Sequence, residues 1–139
     1  MSLIDQIKEH EGFRSKVYQC TEGHDTIGFG FKVADLELDL DLAEEILQRK
    51  LDLLIKRVKN RFSWVDSAPI AIQDVVYNMC YQMGVSGFSK FKRTIQYLAD
   101  KNYDKASKEM LDSRWARQTP NRAIELSNVV KAQSNEWIL

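Results

Sequence analysis

Hydrophobic periodicity changes twice along this chain, and the two changes limit the folds open to it. Residues 2–11 carry Leu3, Ile4 and Ile7 at helical spacing, with Ser2 as N-cap, Asp5 three positions on and Gly12 as the stop. The next stretch abandons that period. In "KVYQC" and "TIGFGF" β-branched and aromatic residues alternate or cluster, and Gly23 in the intervening "TEGHD" supplies a turn, which predicts a β-hairpin. Gly28 and Gly30 alternate with Ile27, Phe29 and Phe31. One strand face is then bare, open to another backbone, a ligand or internal packing. From Asp41 the helical period returns. "DLAE" reads as a capping-box start, and Ala43, Ile46, Leu47, Leu51, Leu54 and Val58 form a stripe through about Asn60. Ser67 as cap, Pro69 in the first turn and Gly84 as stop bound another helix, on which Val76, Met79, Cys80 and Met83 share a face. Further helices are predicted over 89–100, 103–113 and 120–131, the last with Thr119 as cap and Pro120 at its first position. The expected fold is α+β, mostly α. A small N-terminal lobe with a hairpin (1–40) is joined by a long helix (41–60) to a helical lobe (61–139), all within one domain.

A chain of 139 residues can bury a real core. Its 20 Lys and Arg against 20 Asp and Glu argue against nucleic acid or an anionic membrane as a partner. Acids are denser before Asn60 and bases after it, which reads first as a solvated helical surface and second as a weakly basic face for an acidic polymer. Cys20 and Cys80 make no disulfide framework and no CxxC, and His10 and His24 are too few for a zinc site, so no metal or cofactor is expected. No apolar run approaches a membrane span, and "MSLIDQIKEH" lacks a signal peptide's regions, so synthesis in the cytosol is expected.

Three residues in one short span have chemical potential. Glu11 ends the first helix, where partial negative charge gathers and disfavours an ionised carboxylate, as suits a general acid. Cys20 and Thr26 belong to the two arms of the hairpin, and close packing of that hairpin on the helix end would bring all three into one cleft. Each alone has a plainer reading: a surface charge, a small core residue, a good strand former. Asp25 and Glu22 read as turn residues and are the carboxylates nearest Cys20 in sequence. Asn78, Tyr81 and Gln82, spaced i, i+3, i+4 opposite the apolar stripe, face either a cleft or solvent. Cys80, Trp64, Trp115 and Trp137 read as packing residues.

The joint spacing of Glu11, Cys20 and Thr26, E-x8-C-x5-T followed by "IGFG", resembles the phage-type lysozymes, glycoside hydrolase family 24. "YNMCYQMG", "SRW" and "QTPNRA" resemble that family's helical lobe in the same order. The resemblance implies a lysozyme-like fold and a muramidase that cuts the β-1,4 bond between N-acetylmuramic acid and N-acetylglucosamine in peptidoglycan. It implies Glu11 as general acid, Cys20 in the place of the second catalytic residue, usually Asp, and Thr26 positioning the water. It also implies Tyr81, Gln82 and Asn78 as substrate-binding residues and Arg122 as the partner that approaches Glu11. Two features depart from the family pattern besides Cys20. Phe31 stands where GxGH would place a His, and the segment from Lys32 to Asp39 is short, which trims the upper cleft wall.

The reading is therefore a phage endolysin, monomeric, made in host cytoplasm and acting in the periplasm on peptidoglycan glycan strands. A holin is needed for its release, and no stable membrane insertion and no nucleic acid are expected. The alternative is a lysozyme-fold protein that holds glycan or a partner protein without cutting, and a helical interaction module ranks third. Turbidity loss of permeabilised Gram-negative cells separates the first two.

Overall fold

The computed structural model describes residues 2–134, so Trp137 lies outside the described residues. The class is α+β and mostly helical, with one small antiparallel sheet. The chain divides into two compact units, Met1–Glu44 and Glu45–Leu139.

In the first unit, helix α1 spans Leu3–Glu11. Ser2 caps it as its spacing predicts, accepting the Asp5 N–H at 3.2 Å. Gly12, at φ 70°, ends it and returns its N–H to the Lys8 carbonyl at 2.9 Å. Strands β1 (Arg14–Gln19), β2 (Asp25–Gly28) and β3 (Phe31–Lys32) follow, paired in the order β1-β2-β3. The hairpin is thus extended by a third strand. "TIGFGF", read as one strand, folds back on itself and pairs Ile27 with Phe31. The cause is backbone chemistry: Gly28 (φ 68°) and Gly30 (φ 77°) occupy the left-handed region, so their alternation marks a turn and not a strand face.

Helix α2 spans Leu40–Arg61 and crosses the division between the units. Its cap is Asp39, whose Oδ1 accepts the Leu42 N–H at 2.8 Å, and not the "DLAE" start at Asp41. The alternating "DLELDLDL" offers acids two residues apart, and both Asp39 and Asp41 match a cap pattern. Only the later part of the predicted stripe is in the core: Val58 is buried and Leu54 half-buried, while Ile46 and Leu47 are exposed.

The second unit holds the hydrophobic core. A 3-10 turn at Ser63–Ser67 leads into α3 (Ile70–Ser89), then α4 (Lys92–Ala99), α5 (Tyr103–Leu111), α6 (Arg114–Gln118) and α7 (Pro120–Gln133). The α3 face predicted to be apolar is inside, with Val76, Met79 and Cys80 buried and Met83 half-buried. Gly84 breaks α3 at φ 80°, ψ 160° where a stop is expected, and a further turn follows. Aromatic rings run from Phe62 to Phe88 (5.6 Å), Phe91 (6.3 Å) and Trp115 (6.1 Å). Phe88 is fully buried, which alone stabilises the fold by roughly 1.5–3 kcal/mol. Two expected caps do other work. The Ser67 hydroxyl donates to the Trp64 carbonyl and the Thr119 hydroxyl to that of Trp115, each closing the turn before it. The helix expected over 103–113 stops at Leu111, because Ser113 caps the separate α6 by accepting the Ala116 N–H at 3.1 Å.

Charge divides with the units. Residues 1–44 carry 4 Lys and Arg against 10 Asp and Glu, and residues 45–139 carry 16 against 10.

Candidate active site

Within the first unit the chemistry centres on the turn after β1. The Cys20 N–H donates to the His24 carbonyl at 3.0 Å, and the Cys20 carbonyl accepts the Gly23 N–H at 2.9 Å. This turn presents the backbone N–H groups of His24 and then Glu22 to the Cys20 sulfur, and the Thr26 hydroxyl adds a third donor. Together they hold the thiol pKa below its ordinary value, against opposing contributions from partial desolvation and the Glu22 carboxylate. Thr26, on β2, is the one buried residue among the described residues of this unit, at 4% exposure. Its hydroxyl donates to the His24 carbonyl at 3.0 Å.

Glu11 is the last residue of α1, and its carboxylate lies against Gly30. A Cβ added to Gly30 would stand 2.6 Å from Glu11 Oε2. The bare glycine therefore lets the carboxylate close on the β2–β3 turn. Gly28 is approached in the same way by the Phe31 ring, which a Cβ would meet at 2.7 Å. Both glycines that the sequence leaves open to a backbone, a ligand or packing are thus covered by side chains of their own unit. Phe31, where the resemblance leads one to expect a His, is exposed and sets its ring edgewise to Phe29 at 6.4 Å.

In the second unit the three residues spaced on α3 part company. Gln82 Oε1 accepts the Trp115 Nε1–H at 2.8 Å, and both residues line a concavity of about 810 Å³. Asn78 is taken by Arg122, whose Nε and Nη2 donate to its Oδ1 at 2.9 and 2.6 Å, with Nη2 also 3.2 Å from its carbonyl. Tyr81 is exposed beneath the Lys50 ammonium, 5.6 Å from the ring centre. Cys80 is buried, and desolvation pushes its thiol up to about 12. Trp115 is buried and Trp64 half-buried against the core. The Trp115–Gln82 bond spans 33 residues, and its only sequence signal is that a buried indole N–H needs an acceptor.

A family model for phage lysozyme matches residues 8–134. The chain belongs to the phage lysozyme family. Probable T4-type lysozymes 1 and 2 of Dictyostelium discoideum are 26% and 27% identical to it, over 94% and 92% of this chain and the same shares of their own lengths. The pre-baseplate central spike protein Gp5 of Enterobacteria phage T4 is 28% identical over 94% of this chain and 28% of Gp5. The alignments to lysozyme 1 and Gp5 run over 159 positions against a chain of 139 residues, so both relatives carry stretches that this family member lacks. Between β3 and α2 it has only residues 33–39, which include a single 3-10 turn at Val33–Asp35.

Proposed function

We propose that this protein is a muramidase that hydrolyses the β-1,4 bond between N-acetylmuramic acid and N-acetylglucosamine. The observation that carries the reading is the Cys20 turn. Three hydrogen-bond donors favour the thiolate there, in the same unit whose Glu11 carboxylate rests against Gly30. Membership of the phage lysozyme family supports it. Glu11 gives its proton to the leaving glycosidic oxygen. The Cys20 thiolate takes a proton from water as the water oxygen attacks the anomeric carbon from the opposite face, which inverts it, and Thr26 positions that water. Tyr81, Gln82 and Asn78 contribute to glycan binding in the helical unit. The protein acts as a monomeric endolysin, made in host cytoplasm and reaching the wall from the periplasm once a holin opens the membrane.

Two measurements test this. Purified protein should clear permeabilised Gram-negative cells, and digested sacculi should yield muropeptides with new N-acetylmuramic reducing ends. A folded Glu11→Gln variant, which keeps the side chain's shape and loses the transferable proton, should do neither. Sacculi that are bound and left uncut by the native protein would favour the non-catalytic glycan-binding reading, and wild-type clearing by Glu11→Gln would remove Glu11 as the acid.

A further inference from the structure

A second concavity of about 670 Å³ lies elsewhere in the helical unit, between the end of α2 and the break in α3. Leu54, Arg57, Asn60 and Arg61 line it from α2, and Gly84, Val85 and Ser86 from the break. Its lining residues include two arginines and no acid. Among the described residues neither arginine forms an ion pair, whereas Lys59 on the same helix is paired with Asp66 at 3.3 Å. The larger concavity beside Gln82 differs, since Glu109 and Asp112 stand among its cations and Arg93 reaches Glu109 at 3.9 Å.

Two arginines four apart on one helix repel each other. The negative end of the α2 dipole accounts for a cation in its last turn, where Arg61 sits. It does not account for Arg57 one turn earlier, nor for a hollow lined by both arginines together with Asn60 and Ser86, where the Arg61 guanidinium also lies 5.9 Å from the Phe62 ring centre. Guanidinium forks match the oxygens of phosphate and carboxylate groups. Leu54 and Val85 are half-buried and offer apolar surface in the same hollow.

We propose that this concavity is a binding site for an organic oxyanion. Arg57 and Arg61 grip its phosphate or carboxylate group, Asn60 and Ser86 add hydrogen bonds, and Leu54 and Val85 cover its apolar part. The net positive charge of residues 45–139 favours such a ligand. The site is independent of the muramidase reading, and its test requires no turnover.

The test is a titration of the full-length protein followed by backbone amide resonances, with phenyl phosphate, benzoate and inorganic phosphate as separate probes at constant ionic strength. Saturable shifts centred on Gly84, Val85 and Ser86 are expected with at least one aromatic probe, and inorganic phosphate should bind several-fold more weakly. The tighter of phenyl phosphate and benzoate identifies the anion as phosphate or carboxylate. Arg57→Gln with Arg61→Gln should weaken binding at least tenfold, while Arg93→Gln leaves it within twofold. The two single variants, each expected to lose several-fold, replace the double variant should its spectrum change away from the hollow. Shifts that grow linearly without saturating, spread evenly over basic residues, or persist unchanged without the two arginines would overturn the proposal.

Discussion

Cys20 and Cys80 carry the same side chain with opposite chemistry, and their surroundings explain the difference. Hydrogen-bond donors from His24, Glu22 and Thr26 favour the Cys20 thiolate, while burial pushes the Cys80 thiol up to about 12. Since the thiolate is the nucleophile, alkylation by iodoacetamide should label Cys20 alone in the native protein. The pH midpoint of that labelling should lie below that of a free thiol, and Cys80 should react only after denaturation. Equal labelling of both residues at neutral pH would contradict these environments. If the thiolate also serves the reaction, Cys20→Ser should lose most lytic activity, because a serine hydroxyl does not ionise usefully. Cys20→Asp, ionised at neutral pH, should keep a substantial part. The sign follows from the same shift: below the folded pKa the thiol is protonated, so activity of the native enzyme should fall as pH drops through it, and the Asp variant should stay active to lower pH. Lysis by Cys20→Ser at the native rate would make the thiol a bystander.

At the scale of elements, two polar contacts can be tested by substitution, one at a turn and one between two helices. Gly30→Ala places a Cβ against Glu11 Oε2 and adds backbone strain at φ 77°, whereas Gly23→Ala adds strain at φ 80° with nothing within 4 Å. The strain costs about 1–2 kcal/mol in either variant, so the extra loss of melting temperature in Gly30→Ala reports displacement of the Glu11 carboxylate. Lysis should fall with that loss. Identical melting of the two would mean that the contact carries no energy. Helices α3 and α7 are tied by Arg122 and Asn78, 44 residues apart. Arg122→Ala should destabilise by about 1.5–3 kcal/mol, the range for hydrogen bonds to a charged group. Adding Asn78→Ala should then cost little more, and full additivity in the double-mutant cycle would show the pair to be uncoupled. These contacts also mark where the sequence ceases to be legible. Helices with local signals, such as the Ser2 and Gly12 caps or the Val76, Met79, Cys80 stripe, can be read directly. Turn and strand could not be separated in "TIGFGF", because alternating glycines satisfy both patterns until φ is known. Glu11, Cys20 and Thr26 stand out by their spacing, yet the closure of Glu11 on Gly30 and the capture of Arg122 by Asn78 depend on packing between distant segments, which periodicity does not encode.

Across the whole molecule, zero net charge conceals two oppositely charged units. The Debye length at physiological ionic strength is about 8 Å, so a large anionic partner responds to the local excess and not to the sum. Residues 45–139 hold that excess of cations, and residues 1–44 contain Glu11 within an excess of acids. On the muramidase reading this arrangement separates attraction from chemistry: the helical unit is drawn to the anionic wall, while the acidic unit acquires its substrate by specific contacts. Binding to purified sacculi should therefore weaken as sodium chloride rises from about 50 to 500 mM, despite the zero net charge. Replacing surface cations of the helical unit that lie outside both concavities, such as Lys101 and Lys131, with Gln should reproduce part of that weakening at low salt. The corresponding change of acids in the first unit, Glu37→Gln with Asp41→Asn, should strengthen binding slightly. Sedimentation of the protein with sacculi measures all three. Binding that is flat across the salt range and equal in the charge variants would show that the segregation of charge plays no part in reaching the wall.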